Sequence, residues 1–156
     1  MKSPQFPGIL SIPLKILPST VHSRLMVKFL NLLLTEPILD GELDFLNNKK
    51  LSIKVCDADV TYLISLKNKK LVAINSGSKN DIELQANIYD YLQLAARQED
   101  PDTLVFQRKL IMQGNTELGL QLKNFLDGLD LESRNSFAKL EALLIKALPV
   151  YKRLFQ

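Results

Sequence analysis

Leu51, Ile53 and Val55 alternate with Ser52, Lys54 and Cys56, the period of two that marks a strand with one buried face. Asp57-Ala58-Asp59 turns the chain into Val60 to Lys67, where Val60, Tyr62, Ile64 and Leu66 share a side. Lys67-Asn68-Lys69-Lys70 turns it again into a strand from Leu71 to Asn75. Connections this short predict an antiparallel meander, since parallel neighbours need long crossovers. Ser76-Gly77-Ser78 reads as a loop, Asp81 to Asn87 as a fourth strand with Ile82, Leu84 and Ala86 on one face, and Arg108 to Gln113 as a fifth.

Between and around these strands the apolar positions take helical spacing. Val21 to Leu34, with Ser19 or Thr20 as N-cap, has a polar stripe of only Arg24, Lys28 and Asn31. A helix so broadly apolar either packs deep in a core or turns part of its surface to lipid, with Arg24 and Lys28 at headgroups. Glu36-Pro37 ends it, and Ile38 to Leu46 predicts a short helical turn burying Leu39, Leu43 and Leu46. Ile88 to Arg97 predicts a helix with Tyr91, Leu92 and Ala95 as its stripe, and Asp100-Pro101-Asp102 a turn. After the fifth strand, Gly114-Asn115 breaks the chain and Asn115 can N-cap a helix. Glu117 lies in its first turn, Leu118, Leu122, Phe125 and Leu126 form its apolar face, and Gly128 is its stop. A last helix, from about Leu131 to Leu148, carries Phe137, Leu140, Leu144 and Ala147 on one stripe before Pro149. This order gives an α+β domain: about five strands, largely antiparallel, covered by helices.

Composition narrows the options only modestly. At 156 residues, 46% hydrophobic and 24% charged, the chain suits one domain with a real core. A net charge of +3 is too small to make nucleic acid the default partner. The charge is uneven, however. The first 35 residues hold no Asp or Glu but include Lys2, Lys15, Arg24 and Lys28, and Pro4, Pro7, Pro13 and Pro18 forbid a regular helix at the start. An apolar, basic, Pro-rich arm over 1–20 is therefore expected, with a core domain over 21–130 and a C-terminal amphipathic helix and tail over 131–156. That tail ends in Val150-Tyr151-Lys152-Arg153-Leu154-Phe155, either a packed strap or a lid or membrane anchor. The prolines and Lys15 argue against a signal peptide, and no apolar run is long enough to span a bilayer.

Candidate chemistry is sparse. His22 is the one histidine, near the start of an apolar helix, and reads as a solvated or capped side chain rather than a base. Cys56 lies beside Asp57, which raises a thiol pKa, and reads as packing. Asp57, Asp59, Asp100 and Asp102 lie in turns, where Asp serves the backbone, and the spacing of a calcium loop is missing. One His and one Cys are too few for a zinc site, and no phosphate loop, nucleophile elbow or dinucleotide fingerprint occurs. The expectation is no catalytic residue, no metal and no cofactor.

The run LIMQGNTELGLQLKNFLDGLD, preceded by RQEDPDTLVFQRKL and by DGELDFLNNKKLSIKV, resembles the closing strand and helix of the sterol carrier protein type two family, in its bacterial branch of ubiquinone-biosynthesis accessory factors. The resemblance covers roughly Leu25 to Leu129. It implies a sterol-carrier-like fold with an internal apolar tunnel, where periodicity alone leaves a filled core equally open. It also implies a non-enzymatic protein, cytoplasmic or peripheral at the inner membrane, that shields the polyprenyl tail of quinone precursors or binds phospholipid. On this reading it presents the precursor ring to ubiquinone-biosynthesis hydroxylases in the oxygen-independent branch. The expected tail-shielding residues are Leu25, Phe29, Tyr62, Ile64, Leu104, Phe106, Leu118, Leu122, Phe125 and Leu126. Lys15, Arg24, Lys28, Lys152 and Arg153 are expected at membrane headgroups. The alternative is an interaction scaffold or homodimer module with a filled core.

Overall fold

The computed structural model describes residues 18–75, 77, 79–129, 142, 145, 146, 148–150, 152 and 153. Three strands, β1 (Leu51–Val55), β2 (Val60–Lys67) and β3 (Lys70–Ala73), form the expected antiparallel meander. Asn68 and Lys69 both take positive φ, at 50° and 57°, which is the two-residue turn whose twist matches a hairpin. The Lys69 ammonium is held by Asp44 at 2.8 Å.

The meander stops there. β4 (Ile82–Ala86) joins the far side of β1 in parallel, and β5 (Ile111–Gly114) pairs antiparallel to β4, giving the order β3-β2-β1-β4-β5. Short connections had no bearing on the partner of β4, and the register gives the reason for the parallel pair. Ala73, Ile64, Leu51, Ile82 and Gly114 share one rung, so β3 ends level with the start of β4. Residues 74–81 need only pass sideways over three strand spacings, about 14 Å, not back along the sheet. Both ends of the parallel seam are tied. Asp81 accepts from the Lys50 N–H at 2.7 Å at its entry, and Asp57 accepts from the Ile88 N–H at 3.0 Å at its exit.

Helices cover one face. α1 (Ser19–Leu33) lies along β3 and β2, followed by α2 (Thr35–Leu39) and a 3₁₀ turn at Asp44–Leu46. α3 (Ile88–Ala95) and α4 (Pro101–Phe106) lead to β5, and α5 (Thr116–Gly128) packs on β5, α4 and the 3₁₀ turn. The core is the alternating face of the sheet, Leu51, Ile64, Leu66, Leu71, Ile82 and Leu84, closed by Val27, Ile38, Leu43, Leu46, Leu104, Leu110, Leu118 and Leu122. These side chains touch one another, and no internal tunnel is shown among the described residues.

Several local expectations change. Asp100-Pro101 opens α4 instead of forming a turn: Asp100 accepts from Thr103 N–H at 2.9 Å, and Pro101 occupies the first helical position, where its missing N–H costs nothing. The fifth strand consequently begins at Ile111, not Arg108, and Leu110 is buried in the turn before it. Pro18, extended at φ −51° and ψ 133°, launches α1, so Ser19 and Thr20 lie inside the helix and neither is its N-cap. Ile38 is buried where Leu39 was expected, Ala96 where Ala95 was, and Cys56 is exposed. Asn115 does cap α5, accepting from Leu118 N–H at 3.0 Å. Gly114, at φ 115°, admits no side chain, because a Cβ would stand 2.5 Å from the Asp81 carbonyl oxygen. The predicted helix over 131–148 falls mostly outside the described residues.

Candidate lipid-binding site

The ten apolar residues expected to shield a tail divide into two groups. Ile64, Leu104, Leu118 and Leu122 are buried in the main core, and Phe125 and Leu126 pack against it. Tyr62 is buried in an adjoining cluster with Ala58 and Val60, against which Met26, Ile53, Val55 and Ile88 pack. Ile53 belongs to the margin of both clusters, so the apolar lane is continuous along β1. Leu25, Phe29 and Phe106 face outward, with Leu25 62% and Phe106 89% exposed. They do not share the interior with the other seven.

On α1 the outward residues form a stripe. Val21, Leu25, Phe29 and Leu32 recur at helical spacing and are exposed, Leu32 to 78%. Arg24 and Lys28, also exposed, run along one flank. Beyond Leu32 the stripe continues into an open groove of about 360 Å³ lined by Lys28, Asn31, Leu32, Thr35, Ile38, Leu39, Lys69 and Lys70. The inner face of the same helix carries Val27 and Leu30 into the core, and Leu34 follows at its C-terminal cap. Both faces of α1 are apolar, so spacing alone had no means of choosing which meets the sheet. Lys152 and Arg153 are exposed, and Lys15 lies outside the described residues.

Asn31 fixes how α1 sits. Its amide nitrogen donates to the Leu71 carbonyl and its oxygen accepts from the Leu71 N–H, each at 2.8 Å. β3 is an edge strand, and the side chain occupies the place a neighbouring strand would take.

Although Cys56 is exposed as a residue, partial desolvation of its thiol pushes it up, with Asp57 and Asp90 adding to the rise and Lys54 opposing it. It is therefore a poor source of thiolate. Burial likewise raises the Tyr62 phenol and carries Tyr91, whose hydroxyl donates to the Lys54 carbonyl at 3.0 Å, well above the usual phenol range. Asp100 is lowered by its bonds from the Thr103 hydroxyl and N–H, as befits a helix cap. His22 departs from the solvated reading: its Nδ1 is buried without a hydrogen-bond partner, and its ring meets Tyr62 edge to face at 5.4 Å and 81°. A buried nitrogen left unpaired costs about 1–3 kcal/mol. No group of three or more His, Cys, Asp or Glu that could hold a metal occurs among the described residues, and none of their helices is long and apolar enough to cross a membrane.

An apolar lane between sheet and helices, an outward apolar helix face and this strand order together define a sterol-carrier type of domain. The model of the SCP-2 sterol transfer family matches residues 29–127, and the chain belongs to that family. Within it, the chain is similar to the ubiquinone biosynthesis accessory factor UbiT of Escherichia coli (strain K12), at 40% identity over 126 residues, covering 81% of this chain and 72% of the relative. UbiT of Escherichia coli O157:H7 matches to the same extent. A solved structure described as UbiJ-SCP2 ubiquinone synthesis protein shares the fold, with a TM-score of 0.57 at 17% identity over 69% of this chain and 95% of that one.

Proposed function

We propose that this protein is a non-catalytic lipid-binding accessory factor of ubiquinone biosynthesis, in the oxygen-independent branch to which the sequence resemblance points. It shields the polyprenyl tail of an intermediate and offers the aromatic ring to hydroxylating enzymes. The similarity to UbiT supports the pathway, and the apolar lane along β1 supports the ligand class. Shielding is favourable because each CH₂ removed from water contributes about 0.8 kcal/mol. To admit a tail, α1 and α5 must part from the sheet, and Tyr62, Ile64, Leu104, Leu118, Leu122, Phe125 and Leu126 then exchange contacts with one another for contacts with the ligand.

One observation carries the reading furthest: α1 is apolar on both faces, with Val27 inward and Val21, Leu25, Phe29 and Leu32 outward. A soluble domain that only packs a core has no use for the second face, whereas a carrier working at an inner-membrane surface does. Four such side chains entering an interface at about 1 kcal/mol or more each, with Arg24 and Lys28 adding about 1 kcal/mol each near anionic headgroups, give roughly 6 kcal/mol. That magnitude suits reversible, peripheral association. Phe106, the most exposed large apolar side chain among the described residues, is followed by exposed Gln107 and Arg108 and offers a separate contact for a protein partner.

The test is mass spectrometry of an organic extract from natively purified protein, alongside a folded variant carrying L122R and F125R. Stoichiometric prenylated quinone precursor or phospholipid, lost in the variant, is the expected result. A second arm measures flotation with anionic vesicles for a variant carrying L25Q and L32Q, which should bind them about thirtyfold more weakly. Wild-type protein that is empty and ignores vesicles overturns the proposal and leaves the scaffold or homodimer reading in its place.

A further inference from the structure

Where the polar end of the ligand sits is a separate question, and the small cluster beside the main core bears on it. Nδ1 of His22 and Oε1 of Gln93 are the buried, unpartnered side-chain atoms among the described residues. His22 stands on α1 against Tyr62 of β2, which is only 7% exposed. Around them lie Ala58, Val60 and Met26, and Ile53 links this nest to the main core. A phenylalanine would fill the place of His22 without burying a nitrogen that nothing satisfies, so packing alone gives no reason for an imidazole here.

Deepening the carrier reading, and resting on it, we propose that His22 and Tyr62 form the head end of the ligand site. The ligand class is a hydroxylated aromatic ring bearing an apolar tail: its hydroxyl donates to Nδ1 of His22, its ring lies against Tyr62, and its tail runs past Ile53 toward Leu84, Leu118 and Leu122. A neutral phenolic head fits this nest better than a phosphate. Arg24 and Lys28 lie on exposed positions of α1, and Lys54 falls between Ile53 and Val55 in β1, on the opposite face of the sheet from Tyr62. The charges nearest in sequence to Ala58 are the carboxylates Asp57 and Asp59. An anionic head brought here would be desolvated beside these carboxylates, which disfavours its charge. A hydroxyl needs only one acceptor, and an unpartnered imidazole nitrogen supplies it.

The experiment compares ortho-geranylphenol with geranylbenzene, which keeps the tail and lacks the hydroxyl, on wild-type protein, H22F and Y62F. His22 is the one histidine of the chain, so both ring nitrogen resonances belong to it, and Nε2 is told apart because it alone couples strongly to both ring C–H protons. The Nδ1 resonance should move when ortho-geranylphenol is added and stay when geranylbenzene is added. H22F should bind ortho-geranylphenol about tenfold more weakly and geranylbenzene equally well, while melting no lower than wild type. Y62F keeps the ring and packing, and serves as a second variant should H22F fold poorly; it should lose less of the phenol's advantage than H22F. Equal loss of both probes in H22F, or a phenol advantage that survives it, overturns the head site while leaving the carrier reading intact. Preferential binding of anionic phospholipid that H22F abolishes also overturns it, in favour of a phosphate site. Wild-type protein that binds neither probe and extracts without lipid removes the carrier reading itself, and the head site with it.

Discussion

Removing the Asn31 side chain tests how the apolar helix is held to the sheet. In Asn31→Ala, the Leu71 N–H and carbonyl lose their partners at 2.8 Å, and Leu71 is only 3% exposed. Two net hydrogen bonds at about 1 kcal/mol each, together with incomplete rehydration of a buried edge, give a loss of about 2–4 kcal/mol. Alanine is the better helix former by about 0.6 kcal/mol, so the expected destabilisation is about 1.5–3.5 kcal/mol. Urea unfolding followed by circular dichroism measures it, and hydrogen exchange at the Leu71 amide localises it. Asn31→Asp should recover little, since a carboxylate accepts from the N–H but faces the carbonyl oxygen with no proton to donate. Stability of Asn31→Ala within 0.5 kcal/mol of wild type (roughly the scatter of surface substitutions), with the Leu71 amide still protected, would refute the view that this side chain registers α1 on β3.

Gly114→Ala should cost about 2–4 kcal/mol, because it combines a φ of 115° with a Cβ placed 2.5 Å from the Asp81 carbonyl oxygen; thermal melts that coincide with wild type would show that the β4–β5 junction yields more readily than its geometry indicates. Asp100→Ala should lower the melting temperature at neutral pH through loss of the cap on α4. Since the folded-state pKa of Asp100 lies below its ordinary 3.8, the unfolded chain binds the proton more tightly, and the contribution is present above that value and lost as pH falls through the lower folded one. The gap between wild type and variant should therefore be constant from neutral pH down to about pH 5 and narrow at more acid pH; a gap that widens there contradicts the assignment.

Much of this fold was legible because alternation is a local signal: β1, β2 and β4 follow directly from the spacing of Leu51, Ile53 and Val55, of Val60 to Leu66, and of Ile82 to Ala86. The partner of β4 was not, because short connections constrain only sequence neighbours, whereas the parallel seam depends on where β3 happens to end. Asp100-Pro101 is ambiguous in principle: the same pair starts a turn or a helix, and Leu104 reaching the core at 0% exposure decides it. The interior candidates Ile64, Leu118 and Leu122 were readable from one-sided stripes. Leu25 and Phe29 were not, since α1 has two apolar faces and only tertiary contact distinguishes them. Nor does spacing reveal that Asn31 would cap a strand edge or that the His22 nitrogen would be buried, because both depend on residues about 40 positions away.

The parallel seam also bears on how the chain is born. Lys50 meets Asp81, and Asp57 meets Ile88, across 31 residues in each case. On a ribosome adding about 5–20 residues per second, the β1–β2–β3 hairpins leave the exit tunnel about one to three seconds before β4 follows them. Throughout that interval the strand Leu51 to Val55, later the centre of the sheet, is an edge with unpaired amides and three apolar side chains on one side. The central strand of the finished sheet is thus an open edge in the nascent chain, and it stays so until residues 82–86 clear the exit tunnel and close the seam.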